Sequence, residues 1–263
     1  MHMSRMTRAV LLMWGVAITV STSAGDTVPT DWPALQSLCE EAGLDATPVR
    51  EIFRHCQRER IGIGDAHAML GWAIEASREE LPARPVMAKI VEGLGKGVPP
   101  EDIAEVSRQR VRHLYRAREI IRAADGRLAV EPVIVAGAQA MESGVSEDAV
   151  RVVVEAGRDS RAGDLQALLE AGEELYLAGF GSEDIPPMLI DCLQRRLNRV
   201  ELRRAVRYAC QQRQRGMEPR RIRQALWGGE QGSQQQHQNR EHNGQGGGIG
   251  PGPGGPRHGR GRP

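Results

Sequence analysis

An all-α fold is what this chain of 263 residues predicts: an irregular stack of antiparallel helical hairpins, solenoid-like or a helical bundle, with a disordered C-terminal tail. Three observations predict it. A seven-residue corner recurs at 43–49, 97–103, 144–150, 179–185 and 216–222. Apolar residues between the corners return at helical spacing, with no sustained two-residue alternation. Both ends of the chain differ in composition from the middle.

Each corner has a glycine, an apolar residue at +1, turn or cap residues, and an apolar residue at +6, followed by apolar character at +9 or +10. The glycines are Gly43, Gly97, Gly144, Gly179 and Gly216. A helix commonly ends on a residue in the left-handed conformation, which glycine enters without a Cβ clash, and the next residue packs back on the helix. Ser146 and Ser182 suit N-caps, with Glu and Asp following where the helix dipole favours negative charge. Pro48, Pro99, Pro100 and Pro219 suit a first turn, whose N–H groups have no helical partner. The corner glycines are 54, 47, 35 and 37 residues apart. The last two intervals fit one pair of helices each, and the first two are irregular, so a strictly regular solenoid is not expected. The tetratricopeptide spacing of Trp, Gly and Pro is absent.

In chain order, residues 1–24 carry Arg5 and Arg8, an apolar run 9–20, and the small residues 21–24. This is the three-part pattern of a secretory signal peptide, with an apolar run short for a bilayer span. A linker, 25–32, leads to the helical-hairpin domain, 33–227. Helices are expected at 33–42, 47–58, 64–80, 83–96, 99–124, 128–143, 146–158, 162–178, 182–197, 200–215 and 218–227. The longest, 99–124, sets an apolar face of Ile103, Val106, Arg110 or Val111, Leu114, and Ile120 with Ile121 among six arginines, which are expected to pair with acids of adjacent helices on a solvated face. Interior glycines such as Gly71, Gly93, Gly137, Gly157 and Gly172 imply close helix approach, since each costs about 1 kcal/mol against alanine. From 228 to 263 the chain is Gly, Gln, Pro, His and Arg, too poor in apolar residues to offset its ordering entropy.

Charge narrows the function classes less than export does. The signal holds two arginines and the tail four arginines against two glutamates, leaving the helical region near −3. That net value requires neither nucleic acid nor membrane as a partner. An even number of cysteines in an exported chain suggests disulfides. Cys39 with Cys56, and Cys192 with Cys210, would each staple one terminal hairpin, contributing about 3 kcal/mol. Cys39, His55, Cys56 and His67 fit no compact zinc spacing, so no metal or cofactor is expected. The run 93–97 superficially resembles a phosphate loop but lacks the following Ser or Thr and the preceding strand. Nucleophile elbows, HExxH and CxxC are absent.

The acid pairs Glu101-Asp102, Glu147-Asp148 and Glu183-Asp184 recur at helix starts, as capping requires, whereas catalysis needs one special pair. The expectation is an exported, periplasmic or extracellular, non-enzymatic scaffold for a protein or envelope component. The alternative is a helical envelope hydrolase working through paired carboxylates.

Overall fold

The computed structural model describes residues 29–228. The expected signal peptide, the first part of the linker and the tail after its first residue lie outside the described residues. Among the described residues the chain forms eleven α-helices, one 3-10 turn and no strand. The helices are α1 (Trp32–Glu41), α2 (Ala46–Arg58), α3 (Ile63–Arg78), α4 (Arg84–Gly95), α5 (Pro100–Ala124), α6 (Glu131–Glu142), α7 (Glu147–Ala156), α8 (Ala162–Leu177), α9 (Ile185–Gln194), α10 (Arg199–Gln214) and α11 (Pro219–Trp227). The 3-10 turn, Gly126–Leu128, joins α5 to α6.

Local chemistry sets the helix starts. Asp31 and Asp45 cap α1 and α2, accepting from the Ala34 and Thr47 N–H groups at 2.8 and 2.9 Å. Ser146 caps α7 by accepting from Ala149 N–H. Asn198 opens α10 in a full capping box, with the Glu201 carboxylate accepting from the Asn198 N–H. Ser182 departs from expectation: α9 begins only at Ile185, and the Ser182 hydroxyl instead accepts from the Ser146 N–H across the neighbouring corner.

The helix ends explain the irregular glycine spacing. All five corner glycines have positive φ, between 70° and 110°. Arg60, Glu80 and Arg196 have positive φ as well, between 53° and 58°. At all eight positions the next residue's N–H reaches back to the carbonyl five residues earlier, as Leu44 does to Cys39, Ile61 to Cys56 and Leu81 to Ala76. The 54-residue interval between Gly43 and Gly97 therefore contains two corners without glycine. Once they are included, Gly43 to Glu80, Arg60 to Gly97, and Gly179 to Gly216 are each 37 residues apart.

Helices alternate between two layers. One holds α1, α3, α5, α6, α8 and α10, each packed on the next; the other has α2 against α4 and α7 against α9, with α11 closing the end. Hydrogen bonds between successive hairpins recur at a near-constant offset. The Ser77 hydroxyl donates to the Ala42 carbonyl, Cys210 to that of Glu174, Arg213 to that of Gly179 and Arg199 to that of Gly163. These pairs are 34 to 36 residues apart. Several of the carbonyls lie at helix ends, so each hairpin satisfies orphan acceptors of the one before it.

The pattern reverses once. Arg110 meets Glu142 and Gly137 meets Ala117, so residue numbers on α5 rise as those on α6 fall and the two helices are antiparallel neighbours in one layer. Elsewhere within that layer neighbours are parallel. The 47-residue interval between Gly97 and Gly144 spans this reversal, where the 3-10 turn replaces a second-layer helix. A Cβ on Gly137 would stand 3.3 Å from the Ala117 Cβ, so the reversal depends on close backbone approach. Gly71 has open space around it and makes no such contact. Leu, Ile, Val, Ala and Met fill one continuous core along the stack.

Candidate functional surface

The acid pairs lie on exposed corners. Glu101 and Asp102 sit in the first turn of α5. Glu147 is held by Arg116 and Asp148 by Arg151, both at 2.5 Å. Arg116 is 15 residues along α5 from Glu101, or about 22 Å at 1.5 Å per residue. Glu183 and Asp184 occupy the turn before α9, on the corner adjoining Ser146. A cavity of about 10 Å³ lies elsewhere, between α6, α7, α8 and α9, lined only by apolar residues such as Val150, Val153 and Leu169. It is water-sized at most and has no polar group to hold a water.

All four cysteines are free thiols with none at disulfide distance from another, so the expected Cys39–Cys56 and Cys192–Cys210 bridges are not formed. The thiols instead fill the core or face a backbone carbonyl. Cys39 and Cys56 are core-filling residues, 1% and 0% exposed. Cys210 turns its sulfur toward the Glu174 carbonyl of α8, not toward Cys192 of α9. Burial pushes the Cys39, Cys56 and Cys192 thiols up to about 11. His55 Nδ1 faces the Arg58 guanidinium at 2.9 Å, a cationic neighbour unsuited to a metal ligand. Among the described residues no three His, Cys, Asp or Glu groups are placed to hold a metal ion. Lys96 caps the end of α4 and pairs with Glu92 at 2.5 Å, which makes the run 93–97 a helix end.

The arginines of α5 divide in a way the helix pattern did not predict. Arg108 pairs with Glu105 and Arg116 with Glu147, on the surface. Arg110 and Arg118 are buried, at 5% and 6% exposure, and Val106 is exposed instead. Arg110 meets Glu142 of α6, which Lys89 of α4 also approaches at 3.6 Å. Arg118 donates to the Glu79 carbonyl at the end of α3. Beside this network His113 is half-buried. Burial chiefly holds its pKa below the ordinary value, with Glu142 acting in the opposite direction. Arg110, Arg118 and Glu142 thus tie α3, α5 and α6 together at the reversal, and they are structural.

The surface feature that net charge concealed lies at the C-terminal end. Between Asp125 and Asp191 there are fourteen acids and four arginines; between Arg195 and Arg223 there are eleven arginines and two acids. The two stretches cancel in any total, and a windowed count of the sequence would have separated them. Few of these arginines are neutralised. Arg223 pairs with Asp191 at 2.5 Å, Arg199 and Arg213 bond to backbone carbonyls, and Arg195 stacks on Trp227 at 4.8 Å. Arg196, Arg203, Arg204, Arg207, Arg215, Arg220 and Arg221 are exposed and make no ion pair among the described residues. No described helix is long and apolar enough to cross a membrane. No family model, no curated protein and no solved structure matches this chain.

Proposed function

We propose that this chain is an exported, non-enzymatic scaffold that presents the surface of its stacked hairpins to a protein or envelope component. The observation that carries the reading is the fate of the repeated acids. They sit at successive corners, Glu101 and Asp102 in the first turn of α5, Glu147 and Asp148 in that of α7 and held by arginines, and Glu183 and Asp184 in the turn before α9, which leaves the flanks of the stack for contact. A two-layer array of this kind offers an extended binding face built from many hairpins. Export rests on the N-terminal pattern of Arg5 and Arg8, the run 9–20 and Ala24.

Two measurements test the proposal. Cell fractionation with N-terminal sequencing is expected to find the chain outside the cytoplasm, beginning after Ala24; a cytoplasmic chain retaining its N-terminus would overturn the export half. Cross-linking in the native envelope fraction is expected to trap a specific partner, and recovery of the chain alone would overturn the scaffold half.

A further inference from the structure

We propose that the outward flank of α10 is a docking face for an anionic phospholipid surface, which names the envelope component of the scaffold reading and rests on it. Helix α10 packs its Leu202, Val206 and Ala209 side inward, and its layer neighbour α8 lies on one side only. The opposite side carries Arg203, Arg204 and Arg207, with Arg215 continuing the same row at i+8 and i+11 beyond the helix end. Val200 and Tyr208 share this flank and are 58% and 37% exposed.

A terminal helix of a stack needs a polar outer side for solubility, and either sign of charge supplies one. At the other end α1 meets that need with Gln36, Glu40 and Glu41. On this flank of α10 the charge is one-signed and makes no ion pair among the described residues, although the adjoining α8 carries four acids, Asp164, Glu170, Glu173 and Glu174. Arginine rather than lysine supplies it, and the planar guanidinium fork matches phosphate oxygens two at a time. The exposed valine and tyrosine decide between phosphate sources. A nucleic-acid backbone offers the exposed valine no apolar contact, whereas a bilayer interface takes in apolar side chains and amphipathic rings beside basic residues. Attraction of this kind grows with each basic residue near the surface and weakens with salt.

The test is co-sedimentation of the full chain with phosphatidylcholine vesicles, with and without phosphatidylglycerol. The ratio of the two affinities is the readout, so any general attachment through residues 9–20 cancels. Anionic vesicles are expected to bind at least tenfold more tightly, with the preference falling in high salt. R203E/R204E/R207E is expected to remove that preference with an unchanged circular-dichroism melt, and R50E/R54E/R122E, on other helices, to keep it. Equal binding to both vesicles overturns the proposal. So does a preference that survives the α10 triple but is lost in R257Q/R260Q/R262Q, or tighter binding to a duplex oligonucleotide at the same salt. Because cleavage at Ala24 does not enter this ratio, failure of the export reading and failure of the docking face are separately visible.

Discussion

The chain up to α5 and the chain from α6 onward are built from the same hairpin, yet they treat charge in opposite ways. Residues 31–124 mix fifteen acids with fourteen bases throughout. Residues 125–223 place fourteen of their sixteen acids before position 192 and eleven of their fifteen arginines after 194. Since both halves fold to the same two-layer pattern, segregation of charge is not needed to build it. Evenly mixed charge is what a solvated stack uses when no face is reserved, so the polarised half is where a binding surface belongs. The halves also differ at their corners. Two of the four left-handed corners in the first half lack glycine, against one of four in the second.

The largest test of this comparison sets one corner against its counterpart. At Gly144, where φ is 110°, a Cβ would stand 2.5 Å from the Tyr176 hydroxyl, so Gly144→Ala is expected to destabilise by about 4 kcal/mol through strain and overpacking together. Gly43→Ala meets only the left-handed backbone and is expected to cost about 1 kcal/mol. Equal losses in urea titrations of the two variants would show that the ring contact is unimportant. At the junction of the halves, Glu142→Gln leaves Arg110 buried without its carboxylate and is expected to cost about 3 kcal/mol. A loss under 1 kcal/mol in the same assay would remove that pair from the account of the reversal.

Smaller effects sharpen the corner comparison. Arg60→Gly, Glu80→Gly and Arg196→Gly each relieve a left-handed side chain and are expected to stabilise by about 0.5 kcal/mol, the opposite sign to ordinary glycine substitutions in this protein. If thermal melts show all three destabilising, those corners are held by their side chains. Smaller still is the contribution of His113, whose folded pKa is held down by burial. The unfolded chain then binds the proton more readily, so stability declines as pH falls through the ordinary histidine range toward the lowered value. His113→Gln is expected to flatten that decline between about pH 7 and 5. An unchanged slope would assign the pH dependence to other groups.

How much of this was legible depended on whether a feature is written in one residue or in a relation between distant ones. The eleven helices were legible because Gly, Pro and the cap residues act over one turn, and their observed ends fall within about three residues of the expected ones. Arg60, Glu80 and Arg196 hid their corners because the left-handed conformation there is imposed by the reach-back of Ile61, Leu81 and Leu197. Helical spacing could not tell whether Arg110 or Val106 faces the interior, because Glu142, thirty-two residues away, makes the burial of arginine tolerable. The cysteine spacing was equally silent about partners: Cys210 finds the Glu174 carbonyl, thirty-six residues away, and Cys39 and Cys56 are spent on the core. The basic end was present in the sequence all along but averaged away by the acids before it.

The offset of about 36 residues between bonded partners means that each hairpin touches only its neighbours in the chain. Such a molecule need not open all at once. Its last unit, α10 and α11, has a neighbour on one side, and Ile222 and Pro219 are the only fully buried residues of α11. Amide hydrogen exchange should therefore run as a gradient, fastest at α11 and slowest around the α5 and α6 junction, with local opening well below the global unfolding energy. Alkylation should follow exposure, with the half-buried Cys210 reacting before the buried Cys39, Cys56 and Cys192, since burial raises the pKa of all four thiols. The arginines at this end thus ride on a terminal unit that yields easily, and a surface that captured them would hold the array shut from that end.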